Sequence, residues 1–245
     1  MTTETRVPSA WYAVRRGGLA QWWTVLHPPY TLWHLSYVVL GASVAPHLDV
    51  GRLLATLLAF ALAVGLAAHA LDELHGRPLG TTLPSAALVG MSAVALGGAI
   101  ALGLLGLSQI GSALVVFILA GVVLVIGYNL ELFGGVLHNS AGFAVAWGSF
   151  PALTAYFAQT GRLSLASVLI AVAAFGLSWV QRSMSTPARR LRRRVVRVGG
   201  SLTFDDGSVE SIDRATFLAP LETSLRVLSW TTVVLAAGVA VSHAG

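Results

Sequence analysis

The chain contains seven long apolar segments separated by short polar connections, and this pattern limits the folds that it can adopt. A helix needs about 20 predominantly apolar residues to cross the hydrocarbon core of a bilayer. The second segment is the clearest, because no charged side chain occurs between Leu53 and Ala68. The sequence therefore predicts an all-α fold, a polytopic helical membrane bundle of about seven spans. The predicted spans are 30–47, 51–71, 83–107, 110–130, 140–159, 164–182 and 218–242.

Composition supports this prediction and removes several classes of chemistry. Only 10% of the residues are charged and 56% are hydrophobic, whereas soluble domains carry about 25% charged residues. The chain has no cysteine, which excludes disulfides, thiolate metal sites and a cysteine nucleophile. All 15 basic residues are arginine, so a lysine Schiff base and a P-loop lysine are excluded as well.

The arginines lie mainly in connections on one side of the predicted bundle. With a cytoplasmic N-terminus, 12 of them fall on the cytoplasmic side, whereas Arg52 and Arg162 fall on the other side. Cytoplasmic connections of membrane proteins carry an excess of arginine and lysine. The pattern predicts a multi-pass protein of the cell (inner) membrane with its N-terminus in the cytoplasm. It also accounts for the basic charge without nucleic acid as a partner.

The remaining polar stretches divide the chain into four regions, one of which carries a different pattern. Between the last two spans, residues 201–204 and 208–212 flank the turn Asp205-Asp206-Gly207, which predicts a small cytoplasmic β-hairpin. The N-terminal segment combines Trp, Tyr and Arg side chains that suit a membrane interface, such as Trp11 and Arg15. The regions are a cytoplasmic or interfacial N-terminal segment (1–29), the transmembrane bundle (30–182), an arginine-rich loop with the hairpin (183–217) and the last span (218–245).

Ionisable side chains inside or at the ends of the spans gather on the cytoplasmic side, where each is a candidate functional residue. The strongest group is His69, Asp72 and Glu73, because positions i, i+3 and i+4 share one face of a helix. Imidazole and carboxylate ligands together suit iron, manganese or zinc, with magnesium as a further option. The predicted ligands of this divalent metal are His69, Asp72, Glu73, Glu131, His138 and Glu222. The alternative is a solvated helix end whose carboxylates pair with neighbouring arginines.

The arginine run at the end of the sixth span allows two interpretations. The first is that it sets the topology and contacts anionic lipid. The second is that it binds the phosphate of a substrate, for which Arg182, Arg189 and Arg190 are the candidate residues.

Several short strings resemble the UbiA superfamily of intramembrane prenyltransferases over most of residues 25–185. That family carries the motif Asn-Asp-x-x-Asp-x-x-x-Asp at the end of its second helix, soon followed by Arg-Pro-Leu. Here the corresponding stretch is Ala68-His69-x-x-Asp72-x-x-x-Gly76, followed by Arg77-Pro78-Leu79. Further similar strings are His27-Pro28, Tyr128 and the stretch 146–151 with its proline.

The resemblance implies a fold in which aspartates of two helices hold magnesium ions that bind an isoprenoid diphosphate. This chain departs from that pattern in both motifs. His69 and Gly76 stand where the first motif has aspartates, so Asp72 alone is kept. The expected position of the second motif, residues 178–194, contains no carboxylate. Two magnesium ions held by paired aspartate motifs cannot be built from these residues.

The sequence therefore predicts a UbiA-like intramembrane enzyme that acts on a lipid-like, isoprenoid substrate at a His/carboxylate metal site facing the cytoplasm. Two alternatives stay open: a metal-dependent oxidase or hydrolase on the same scaffold, and a non-catalytic membrane protein that binds lipid or an ion. The outward half has almost no polar side chains, which favours an enzyme or a one-sided binding protein over a transporter. Membrane lipids are the expected partners, and the number of protomers is left open.

Overall fold

The computed structural model of the chain describes residues 10–14, 18 and 20–243. Eight helices and one β-hairpin follow one another along this part of the chain. They are α1 (Ala20–Val25), α2 (Pro28–Ser43), α3 (Val50–Leu74), α4 (Ser85–Ile110), α5 (Leu114–Asn129), α6 (140–160), α7 (Leu165–Arg193), β1 (Gly200–Thr203), β2 (Val209–Ile212) and α8 (Arg214–Val241), with a 3₁₀ turn at Phe133–Gly135. The predicted interfacial segment 1–29 is described in part, and its Arg15-Arg16 pair lies outside the described residues.

Four of these helices, α3, α4, α7 and α8, are long and apolar enough to cross a membrane. Helix α5 is apolar but shorter, with 16 residues. Large apolar side chains such as Leu105 of α4 and Val234 of α8 are exposed, as expected where a helix faces lipid hydrocarbon. The predictions of a mostly helical fold with candidate membrane spans and of a small hairpin are confirmed.

Most helix boundaries lie a few residues from those that the sequence predicts, and two of the differences have a clear physical cause. Helix α7 continues to Arg193 instead of ending at 182, since alanine and arginine favour helix, and the arginine run therefore lies on a helix. Helix α8 begins at Arg214 because the Asp213 carboxylate accepts a hydrogen bond from the Thr216 backbone N–H at 2.9 Å. Hydrogen bonds from Thr216 hold the pKa of Asp213 below its usual value.

Two of the long helices contain a wider, π-helical segment. In α3 it covers Ala61–Ala68, and in α6 it covers Val145–Ser149 between α-helical parts at Ser140–Ala144 and Phe150–Thr160. In α6 the segment comes just before Pro151, whose ring nitrogen has no hydrogen to donate to the preceding turn. Such segments occur often at functional sites, and both lie beside the cavities described below.

Close helix crossings at small residues hold the bundle together. Helix α2 packs between α6 and α8, and α6 also packs against α7. One core cluster joins α2, α3, α5 and α6 and includes Val38, Val64 and Trp147. A second joins α2, α6, α7 and α8 and includes Trp33 and Leu225. Because lipid supplies no hydrophobic force between helices, such close packing is the main source of association.

The hairpin lies between α7 and α8, as predicted. Its strands pair antiparallel, with Leu202 opposite Glu210 and Thr203 opposite Val209. The turn contains Gly207 at φ +80°, a conformation that suits glycine. The Ser208 N–H donates to the Asp206 carboxylate at 2.8 Å, and the hydrogen bonds of Ser208 hold the pKa of Asp206 below its usual value.

Candidate functional site

A cavity of about 430 Å³, here called the polar cavity, lies where α2, α6 and α8 begin and where α3, α5 and α7 end. The sequence predicts that polar residues of several segments share one side of the bundle, and the structure brings them together around this cavity. The titratable side chains in its lining are Tyr12, His27, Tyr30, His34, His69, Asp72, His75, Tyr128, Glu131, His138, Arg182, Arg189, Arg192, Arg193, Arg194 and Glu222.

The predicted trio at the end of α3 is divided between two environments. His69 and Asp72 line the polar cavity. Glu73 is fully buried and turns towards the connection that follows, where it accepts hydrogen bonds from the N–H groups of Leu79 and Thr81, each at 2.9 Å, and from the Thr81 hydroxyl at 2.8 Å. A shared helical face therefore does not place Glu73 in the site, and its carboxylate organises the connection instead.

Glu131 and His138 belong to the connection between α5 and α6, at the rim of the polar cavity. The Glu131 carboxylate lies 3.7 Å from His138 Nδ1, and the His138 ring stacks on the Tyr128 ring with 4.6 Å between the centroids. The backbone of Glu131 and of Phe133 is left-handed, with φ of +49° and +57°. Two residues in this unfavourable region indicate a connection that is held in place by its surroundings.

The sixth predicted ligand, Glu222 of α8, is already paired. Its carboxylate accepts two hydrogen bonds from Arg192, of which the one from Nη2 measures 2.7 Å, and Arg226 lies 4.0 Å away. Two of the six predicted ligands, Glu73 and Glu222, are thus committed to other partners. Among the residues that the structure describes, no three His, Asp or Glu side chains lie close enough to hold one ion. The metal site therefore stays a prediction.

The candidate phosphate-binding arginines lie on the last turns of α7. Arg182 donates to the Tyr128 hydroxyl and lies over the Phe143 ring, 5.4 Å from its centroid. Arg189 donates to the hydroxyls of Ser185 and Thr186 at 3.5 and 3.3 Å. Both line the polar cavity, whereas Arg190 lies outside its lining. The structure therefore brings two of the three predicted arginines to the site.

The charges around the polar cavity do not balance. Among the described lining residues there are five arginines and three carboxylates, an excess of two positive charges before any histidine is protonated. A partly enclosed lining with this excess attracts anions.

Gln181 lies deeper in α7 and is 2% exposed. Its Oε1 atom is buried and accepts no hydrogen bond from any described residue. Nearby, His34 uses Nδ1 to donate to the Trp147 carbonyl oxygen at 2.8 Å. Buried polar atoms are nearly always hydrogen-bonded, so the Gln181 oxygen is unusual, but it is enclosed by its neighbours and is not exposed to the cavity.

His27 lines the polar cavity as well, although nothing in the sequence marks it beyond its place in the string His27-Pro28. His27 has a left-handed backbone with φ +45°, its Nδ1 is hydrogen-bonded to the Tyr12 hydroxyl, and its ring centroid lies 4.7 Å from that of His69. Burial, together with the positive charges of His69, Arg193 and Arg189, lowers the pKa of His27 well below its usual value. A histidine before two prolines is typical of the start of a helix, so the local sequence pattern did not indicate that His27 belongs to the site.

The described part of the N-terminal segment closes the polar cavity from one side. Trp11 and Tyr12 belong to its lining. The Arg226 guanidinium lies 4.8 Å from the centroid of the Trp11 ring, and the Val14 N–H donates to the Thr24 hydroxyl at 3.0 Å. The aromatic side chains that the sequence assigns to the interface thus cover the site.

A second cavity, here called the apolar cavity, has a volume of about 480 Å³ and lies among α3, α4, α5 and α6. Most of its lining is aliphatic or aromatic, with Asp49, Arg52 and Gln109 at the end opposite the polar cavity. Val64 and Trp147 belong to the lining of both cavities. The two spaces therefore adjoin, with a cationic part at one end of the bundle and an apolar part among α3, α4, α5 and α6.

Comparison of the chain with protein-family models, with curated proteins and with solved structures finds no match. The geometry of the two cavities therefore carries the functional argument.

Proposed function

We propose that the protein is an intramembrane enzyme that binds a phosphate-bearing, isoprenoid-like amphiphile and transfers its apolar group. The observation that carries the proposal is the contact between the two cavities at Val64 and Trp147. An amphiphile with an anionic head group matches a cationic cavity joined to an apolar one. The resemblance to UbiA prenyltransferases points to the same class of substrate.

The membrane topology that goes with this proposal has seven spans and a cytoplasmic N-terminus in the cell membrane. Its support is that α2, α5 and α6 are packed among the four longer helices. Helices α2 and α3, and likewise α5 to α8, alternate between beginning and ending at the polar cavity, as an up-and-down bundle requires. The arginines at this end then face the cytoplasm, in agreement with the positive-inside rule.

The chemistry that we propose is displacement of a phosphate leaving group. The bond between the first carbon of the chain and the phosphate oxygen breaks, and its electron pair leaves with the phosphate. Arg182 and Arg189 stabilise the negative charge that develops on that oxygen. The resulting allylic cation bonds to an electron-rich carbon of an acceptor, which then loses its proton to His138, beside Glu131. No step in this scheme passes through a metal.

The test is a turnover assay on purified protein in detergent. Isoprenoid diphosphates of increasing chain length are supplied with an electron-rich aromatic acceptor, and released diphosphate is measured. We expect release that falls about tenfold or more in Arg189→Gln, because a hydrogen bond to a charged group is lost. Arg197→Gln is the matched control, since Arg197 is exposed and lies outside the cavity. Tight binding without any release would show a lipid-binding protein and overturn the enzymatic proposal.

A further inference from the structure

We infer that the polar cavity binds its phosphate group directly through arginine side chains, without a divalent metal ion. The inference rests on the proposed function and deepens it, because it assigns the head group to a site of a different kind from the magnesium sites of the family that the chain resembles. The donor set in the cavity, described residue by residue above, points to this assignment.

Two of the six carboxylate and histidine ligands predicted from the sequence are already bound by protein partners. Glu73 is bound by Leu79 and Thr81, and Glu222 is bound by Arg192. Asp72 lies close enough to Arg189 and Arg193 to interact with their charges. Magnesium requires near-octahedral oxygen ligands, and a carboxylate that faces cations on its own protein is a poor ligand for a further cation.

The arginines supply the positive charge that a metal ion would otherwise bring to the phosphate. A guanidinium is planar, stays charged and donates two parallel hydrogen bonds to a phosphate. Arg182 is held in place by the Tyr128 hydroxyl and the Phe143 ring. Arg189 donates at 3.5 and 3.3 Å to hydroxyls one turn away on its own helix. These long contacts can be exchanged for shorter ones to a phosphate at little cost.

The charge of the lining sets the charge of the ligand. Five arginines against three carboxylates among the described lining residues leave an excess of two. A phosphate monoester carries about two negative charges near neutral pH, and a diphosphate carries at least as many. Either group neutralises the two excess positive charges of the lining. A head group bound together with divalent cations would not, because the cations cancel its negative charge.

The experiment measures equilibrium binding of dodecyl phosphate and of inorganic diphosphate to the purified full chain by calorimetry. Each probe is titrated once in excess EDTA and once in excess MgCl₂. We expect tight binding in EDTA that MgCl₂ does not strengthen. Arg189→Gln should weaken binding about tenfold or more. Arg189→Lys should weaken it less, because the positive charge is kept. Arg197→Gln should leave binding unchanged.

The outcomes separate the inference from the proposed function. Binding that disappears in EDTA and returns with MgCl₂ would overturn direct arginine binding and leave the proposed function standing. Absence of binding in both buffers would overturn both. Binding of dodecyl phosphate that far exceeds binding of inorganic diphosphate identifies a lipid as the source of the phosphate, whereas equal binding identifies a free phosphate compound. Size-exclusion profiles of the variants confirm that they are folded.

Discussion

Gly41 of α2 lies directly against Ala152 of α6, so that a Cβ atom at position 41 would be 2.2 Å from the Ala152 carbonyl oxygen. The contact is to backbone, which cannot rotate away. We therefore expect Gly41→Ala to push the two helices apart and to lower the free energy of unfolding by about 1–3 kcal/mol. The midpoint of thermal unfolding in detergent measures this change.

Gly90 of α4 is the matched control for that substitution. A Cβ atom there meets no described atom within 4 Å, and Gly90 is a helical residue as well. Gly90→Ala should leave the unfolding midpoint unchanged or raise it slightly, because alanine favours helix over glycine. Equal losses in the two variants would contradict the close α2–α6 crossing.

Glu73 provides a second prediction, which separates a structural role from a metal-binding one. Its buried carboxylate accepts three hydrogen bonds from Leu79 and Thr81. Glu73→Gln replaces one acceptor oxygen by a donor, so the free energy of unfolding should fall by about 2 kcal/mol. Glu210→Gln in the exposed hairpin should have no effect. A stable Glu73→Gln variant that loses a bound metal would instead support the metal site predicted from the sequence.

The apolar cavity predicts how chain length is selected. Ala99 of α4 belongs to its lining, whereas Ala101 is exposed and lies outside it. Ala99→Phe fills part of the space, so the longest alkyl phosphate that binds tightly should become shorter. Ala101→Phe should bind the same series as the unchanged protein. A series of alkyl phosphates titrated into the three proteins decides between these outcomes, and an identical series for Ala99→Phe would place the chain elsewhere.

The absence of cysteine from the chain allows a direct test of topology. Ser201 lies in the hairpin, and Ser112 lies between α4 and α5, and both are exposed. With a cytoplasmic N-terminus, a membrane-impermeant maleimide should label Ser112→Cys in intact cells and Ser201→Cys after lysis alone. The reverse pattern would invert the proposed orientation.

Elemental analysis tests the metal prediction. Because Glu73 and Glu222 are committed to other partners, we expect purified protein to hold iron, manganese or zinc at well below one equivalent. One equivalent or more that is lost in His69→Ala would contradict this expectation and restore a His/carboxylate site around His69 and Asp72.

Much of the fold could be predicted from apolar segments and turn residues, because a helix in lipid must satisfy its own backbone hydrogen bonds. The hairpin follows from its Asp-Gly turn and is confirmed at Gly200–Thr203 and Val209–Ile212. Periodicity does not show where a helix ends inside a charged run, and for that reason α7 extends to Arg193.

The candidate site could be predicted as a region but not as a set of contacts. Helical spacing places His69, Asp72 and Glu73 on one face, yet the N–H groups of Leu79 and Thr81 draw Glu73 away. Unpaired backbone groups after a helix compete for any nearby carboxylate. The spacing of residues in the sequence does not show which partner the carboxylate will bind. The hydrogen bond between Tyr12 and His27 likewise depends on how the N-terminal segment folds back.

Val64 and Trp147, the two residues that border both cavities, lie in the π-helical segments of α3 and α6. A ligand that fills both cavities must change from polar to apolar at the depth of this pair. Position 64 is 15 residues from Asp49 at the far end of the apolar cavity, a rise of about 22 Å along a helix. Ligands that share a head group are then distinguished by the length of their apolar chain beyond the depth of Val64 and Trp147.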